Sequence, residues 1–408
     1  MKTKNLSKWL TVSFLNLFVV GCLGLLMRYK SGFEFRHFEQ KNLQNAHSHF
    51  AFAGWITHTI MILMIIYVNP FLNDLTSRLF KNIIIANLIC AYGMLISFTI
   101  QGYGLISITF STLSIITFFV FSYNYFKVLK FSENKYISNW LKAAIIFNLI
   151  SNFGTASLTY MMATKNLPQH MYLSSIYWYL HFQYNGWFFF GCLGLFLGYL
   201  HNLFPNMNQD KNVFRLFFYS CIPAFGLSVL WLDLPYWLYL IVVASSIAQF
   251  LGWIKLILLL KNLKFLQHLE VSKLKKFLFV VIGSALSIKL TLQLVSVIPS
   301  ISQFAFGFRP IVIAYLHLVL LAFVSTFLIT YIFINNLITI NKYTIRGIAT
   351  FIIGIIFNEL ILSIQGFGSL TYVVIPGMNV YLIIIALVML IGLLMINLSQ
   401  IIKTKIIV

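Results

Sequence analysis

Apolar residues run through this chain in blocks of twenty or more, separated by short polar connections, rather than in the alternation that a half-buried strand would show. Marking those blocks gives twelve candidate spans: 9–28, 46–68, 80–100, 103–127, 138–163, 172–201, 212–231, 236–259, 274–297, 308–333, 345–364 and 378–402. Each is long enough to carry a helix across about 30 Å of hydrocarbon. The pattern predicts an all-α fold, a polytopic membrane helix bundle of about twelve transmembrane helices. No internal repeat, low-complexity segment or soluble domain stands out, so residues 1–408 read as a single twelve-helix domain.

Composition excludes the alternatives. Of 408 residues, 60% are hydrophobic and 9% charged, which rules out a soluble globular protein and a nucleic-acid reader and makes the lipid bilayer the first partner. The net charge of +20 matters through its placement. With twelve spans, 21 basic residues fall on the side that holds both termini and six on the other, namely Arg28, Lys30, Arg36, Lys41, Lys165 and Arg309. By the positive-inside rule the N- and C-termini are expected in the cytoplasm of a bacterial-type inner membrane. The cysteines Cys22, Cys90, Cys192 and Cys221 lie in apolar segments without CxxC spacing, so neither a disulfide framework nor covalent haem attachment is encoded.

Candidate chemistry lies with the histidines. His47 and His49 stand at the mouth of the second span, and His181 and His317 fall nine or ten residues into the sixth and tenth, about 14 Å deep at 1.5 Å per residue. All three spans enter from the outer side, so three even-numbered helices offer imidazole to the outer half of the bilayer. A two-residue step turns a helix by about 200°, so at most one of His47 and His49 reaches any single ion, and Tyr315 is expected on a different side of its helix from His317. Two neutral imidazoles on different helices can clamp an iron axially, each holding its tautomer through its other nitrogen. The plainer reading has His317 bonded to a carbonyl or to Tyr315, and His181 absorbed in a polar network with Gln183, Tyr184 and Asn185. Lys289 and Glu359 lie inside spans, where an ionisable group marks an ion pair or a proton route.

The order Ala46-His47-Ser48-His49, then Tyr177-Trp178-Tyr179-Leu180-His181-Phe182-Gln183-Tyr184-Asn185-Gly186, then Ala314-Tyr315-Leu316-His317-Leu318 resembles the catalytic subunit of the haem-copper oxidase superfamily. The likeness is to its cbb-type oxidases, nitric oxide reductases and NnrS-like relatives. That resemblance implies twelve spans with both termini inside and a bis-histidine, low-spin haem b. The helix-10 ligand would be His317 and the helix-2 ligand His47 or His49, with His47 the better match. It also implies work in electron transfer or in nitric oxide or oxygen chemistry, with quinol, cytochrome c or a partner subunit as electron donor. His181 matches the helix-6 copper ligand. Tyr315 stands where the family's high-spin haem ligand would be, the adjacent helix-7 histidines have no counterpart, and the usual arginine pair is missing, leaving Arg36 and Arg309 to meet haem propionates. Copper is therefore not expected, and no catalytic residue is assigned. The competing readings are a twelve-helix transporter and an accessory protein for haem or copper sensing or assembly.

Overall fold

The computed structural model describes residues 3–269, 272–302 and 308–402. In chain order its α-helices are α1 (Thr3–Gly32), α2 (Gln40–Phe50), α3 (His58–Val68), α4 (Asp74–Gln101), α5 (Leu105–Leu129), α6 (Lys135–Thr164), α7 (Gln169–His181), α8 (Phe189–Leu203), α9 (Lys211–Cys221) and α10 (Tyr236–Asn262). They continue with α11 (Phe265–His268), α12 (Lys273–Val295), α13 (Arg309–His317), α14 (Thr326–Ile334), α15 (Lys342–Leu370) and α16 (Met378–Ile401). No strand occurs among the described residues. Among the described residues, eleven continuous helices are long and apolar enough to cross a membrane, and a twelfth crossing results if one bent pair counts as a single span. This is a multi-pass membrane helix bundle.

The bent pair corrects the sequence reading, which drew 212–231 as a continuous span. α9 stops at Cys221, and a 3-10 turn from Pro223 to Val229 continues at 47° to it. Pro223 explains the break, because it has no N–H for the helical ladder and its ring crowds the carbonyl of the preceding turn.

Among the described residues, three spans depart from α geometry in their middles. A π-segment from Ala51 to Thr57 joins α2 to α3, another from Phe182 to Phe188 joins α7 to α8, and a third from Leu318 to Ser325 joins α13 to α14. A π-turn bonds i to i+5 and widens the helix, so carbonyls around it need other donors.

The chain divides into two compact units. The first holds residues 1–133, 325–365 and 374–408. Its core is aromatic, with Trp55, Phe14, Phe50, Phe80, Phe98, Phe121 and Tyr125 fully buried. Polar side chains in it serve the first π-segment. Asn16 Nδ2 donates to the Gly54 carbonyl (2.6 Å) while its Oδ1 accepts from Tyr92 (2.8 Å), and Asn87 Nδ2 donates to the Ala53 carbonyl (3.2 Å). Trp55 Nε1 donates to Ser325 Oγ (2.9 Å). The second unit holds residues 134–324 and 366–373, with Trp140, Phe147, Phe182, Trp187 and Phe188 buried. There Gln183 Nε2 donates to Ser151 Oγ (2.8 Å) and Trp178 Nε1 to the Ile150 carbonyl (2.9 Å).

Close backbone approach in the first unit depends on glycine. A Cβ at Gly392 would lie 2.6 Å from the Phe351 nitrogen and 2.8 Å from the Gly347 carbonyl oxygen, so α15 and α16 meet through small residues as apposed membrane helices commonly do. Gly392→Ala is therefore expected to lower stability by about 1–3 kcal/mol through overpacking. Gly283→Ala, where nothing lies within 4 Å, is expected to be neutral or to stabilise by up to about 1 kcal/mol. Unfolding of purified protein in detergent or nanodiscs measures both.

Candidate functional site

The two histidines of α2 turn to opposite sides, as their spacing requires. His47 reaches α1, where Nδ1 donates to the Val20 carbonyl (3.1 Å), and its Cε1 would lie 3.4 Å from a Cβ placed at Gly24. The absent side chain at Gly24 gives the imidazole its room. His49 turns to α4, with its ring stacked on Phe98 at 4.3 Å and Nε2 bonded to the Tyr103 hydroxyl (3.1 Å). A carbonyl can only accept, so the proton of His47 sits on Nδ1 and the lone pair on Nε2. That is the tautomer of an imidazole able to bind iron through Nε2.

His317, the last residue of α13, shows the same arrangement. Its Nδ1 donates to the Ile313 carbonyl one turn back (2.8 Å), which puts the lone pair on Nε2. Tyr315 meets Tyr184 edge-on, with ring centroids 6.3 Å apart.

His181 differs. It is fully buried, its Nε2 donates to the Cys221 carbonyl (2.8 Å), and its Nδ1 accepts from Asn185 Nδ2 (3.1 Å). Nε2 is thus committed to α9 and Nδ1 to the π-segment of its own span, and neither presents a lone pair to a metal. Cys221 closes the loop by donating Sγ–H to the Asn185 carbonyl (3.7 Å). No group of three or more histidine, cysteine or carboxylate side chains is arranged to hold a metal ion among the described residues.

The arginines lie at or before helix starts, and Lys289 and Glu359 lie within helices. Arg36 lies exposed in the connection before α2 and pairs with Glu34, while Arg309 opens α13. Glu359 accepts from the neighbouring Asn358 amide (3.1 Å), and Lys289 lies over the Phe189 ring at 5.4 Å. Neither Lys289 nor Glu359 takes part in the ion pairs Arg36–Glu34 and Lys255–Asp210. Lys289 shares its surroundings with His181 and Cys221, which lie within electrostatic reach.

The sequence reading missed a repeat that the π-segments expose. His49-Phe50-Ala51-Phe52-Ala53-Gly54-Trp55 and His181-Phe182-Gln183-Tyr184-Asn185-Gly186-Trp187 share His, Phe, Gly and Trp at the same spacing, with Phe52 matching Tyr184. His317-Leu318-Val319-Leu320-Leu321-Ala322-Phe323 keeps the imidazole and an aromatic six residues on. In each copy a π-segment begins one or two residues after the histidine, and the closing aromatic is buried. A search for His-Phe-x-aromatic-x-Gly-Trp would have found the first two. No protein-family model matches this chain, and no curated protein matches it.

The double commitment of His181 makes it a structural lock. His181→Ala is expected to leave the Cys221 carbonyl and the Asn185 amide unpartnered at a cost of about 2–5 kcal/mol. Asn185→Ala, which strands one imidazole nitrogen, should cost about 1–3 kcal/mol. Denaturation midpoints of the two variants against the parent test this ordering.

Proposed function

We propose that this chain is a membrane haem-binding protein related to the catalytic subunit of the haem-copper oxidases and nitric oxide reductases. The residues that would hold a low-spin haem b are His317 and the α2 pair, His47 before His49. The observation that carries the reading is the shared state of His47 and His317, each with Nδ1 donating to a backbone carbonyl and the lone pair on Nε2. Such a bond orients the ring and strengthens it as a ligand. His49 has the opposite arrangement, with Nε2 bonded to the Tyr103 hydroxyl (3.1 Å). With His181 bonded at both nitrogens, the proposed cofactor content is haem without copper.

Bound haem would supply one-electron transfer in a bacterial-type inner membrane, with quinol, cytochrome c or a partner subunit as donor. The protein's own part is to fix the imidazoles by Val20 and Ile313 carbonyls, to exclude water by its aromatic core, and to offer Arg309 and Arg36 to propionate charge.

Protein purified from haem-replete cells should show, on reduction, the sharp visible bands of low-spin haem b. Both His317→Ala and His47→Ala should lose at least about nine-tenths of those bands, whereas His49→Ala should keep them, since losing an axial ligand costs the low-spin state outright. A colourless parent protein sinks the proposal, and bands that survive His317→Ala but not His49→Ala reassign the ligands.

A further inference from the structure

The second unit buries a set of polar atoms that haem binding does not use. Asn185 Oδ1, Ser246 Oγ and Gln293 Oε1 are all buried without a hydrogen-bond partner, on residues no more than 7% exposed. Lys289, 3% exposed, forms no ion pair among the described residues. Comparing the π-segments points to the same place, because the positions of Gln183 and Asn185 are alanines (Ala51 and Ala53) in the first copy and Val319 and Leu321 in the third.

Helix directions bring the four groups together. His181 bonds to Cys221 and Phe189 packs on Phe217, so the α7–α8 span runs antiparallel to α9. Gly252 lies against Phe217 and Gly226 against Val242, so α10 runs antiparallel to the α9 span. Tyr239 donates to the Val297 carbonyl and Trp253 to Ser287 Oγ, so α12 runs antiparallel to α10. The α7–α8 span is therefore antiparallel to α12, and Lys289 touches it at Phe189. Asn185, four residues before Phe189, and Gln293, four after Lys289, then lie on the same side of that contact, about one turn away. Ser246 is seven residues from both Tyr239 and Trp253, which puts it on the face of α10 that meets α12, level with Gln293.

We infer that the second unit holds a binding site for a small monovalent oxyanion that retains a hydroxyl, of the hydrogencarbonate type, formed by Lys289, Ser246, Asn185 and Gln293. The chemistry selects this class. An ammonium in hydrocarbon calls for a negative charge, while two amide oxygens call for a donor and the Ser246 hydroxyl serves either way. Water supplies donors without charge, and a halide supplies charge without donors. An oxyanion with one O–H supplies both, its charged oxygens facing Lys289 and its hydroxyl facing the amide oxygens. The site lies wholly within one unit and does not rest on the haem reading.

The test is ligand-induced stabilisation of the full-length protein in lipid nanodiscs, at constant pH and ionic strength, with hydrogencarbonate, formate or chloride added. Hydrogencarbonate should raise the unfolding temperature saturably. Formate, which lacks the hydroxyl, and chloride should bind at least about tenfold more weakly. Ser246→Ala and Gln293→Leu should each weaken the hydrogencarbonate response about tenfold, and Lys289→Met should abolish it. No saturable response, an equal response to chloride or formate, or an unchanged Ser246→Ala overturns the inference. If Lys289→Met does not fold, the anion series and Ser246→Ala decide the matter.

Discussion

A backbone carbonyl without a donor is costly in hydrocarbon, and the structure meets that requirement with side-chain donors in the first two π-segments. In the first π-segment the carbonyls of Ala53, Gly54 and Trp55 accept from Asn87, Asn16 and Thr59. In the second, the Asn185 carbonyl accepts from Cys221. These bonds fix helices to one another at defined heights, which non-directional apolar packing would not do. They also explain why asparagine, threonine and cysteine appear in segments otherwise built of leucine, isoleucine and phenylalanine.

The same constraint sets the state of each histidine. An imidazole beside a backbone carbonyl donates to it, and the remaining nitrogen is left as an acceptor. For His47 and His317 that acceptor is Nε2, the form suited to iron. For His181 a second side chain, Asn185, takes the acceptor nitrogen, and the imidazole becomes a lock between helices. One residue type in one repeated motif thus acquires two physical roles through its immediate neighbours.

Much of the fold was legible because membrane spans announce themselves by length and apolarity, and the polytopic bundle follows from that pattern alone. The break after Cys221 was missed because hydropathy is blind to backbone geometry, although Pro223 in the middle of the block carried the information. The opposite facing of His47 and His49 follows from helical periodicity. Of the partners of His181, Asn185 was anticipated by the polar-network reading, whereas Cys221, 40 residues away in sequence, was not. The π-segments were invisible to hydropathy but not to motif comparison, where the shared histidine, phenylalanine, glycine and tryptophan of two spans mark them. The buried, unpaired state of Lys289 became apparent only when its helix was placed beside Phe189.

The central proposal is that His317 and an α2 histidine would hold a low-spin haem b. Electron paramagnetic resonance of the oxidised, purified protein addresses it most directly. The account predicts a low-spin ferric signal of the bis-imidazole type, converted to a high-spin signal in His317→Ala. A parent protein whose haem is high-spin, or one with no haem signal at all after expression with haem supplied, would contradict it.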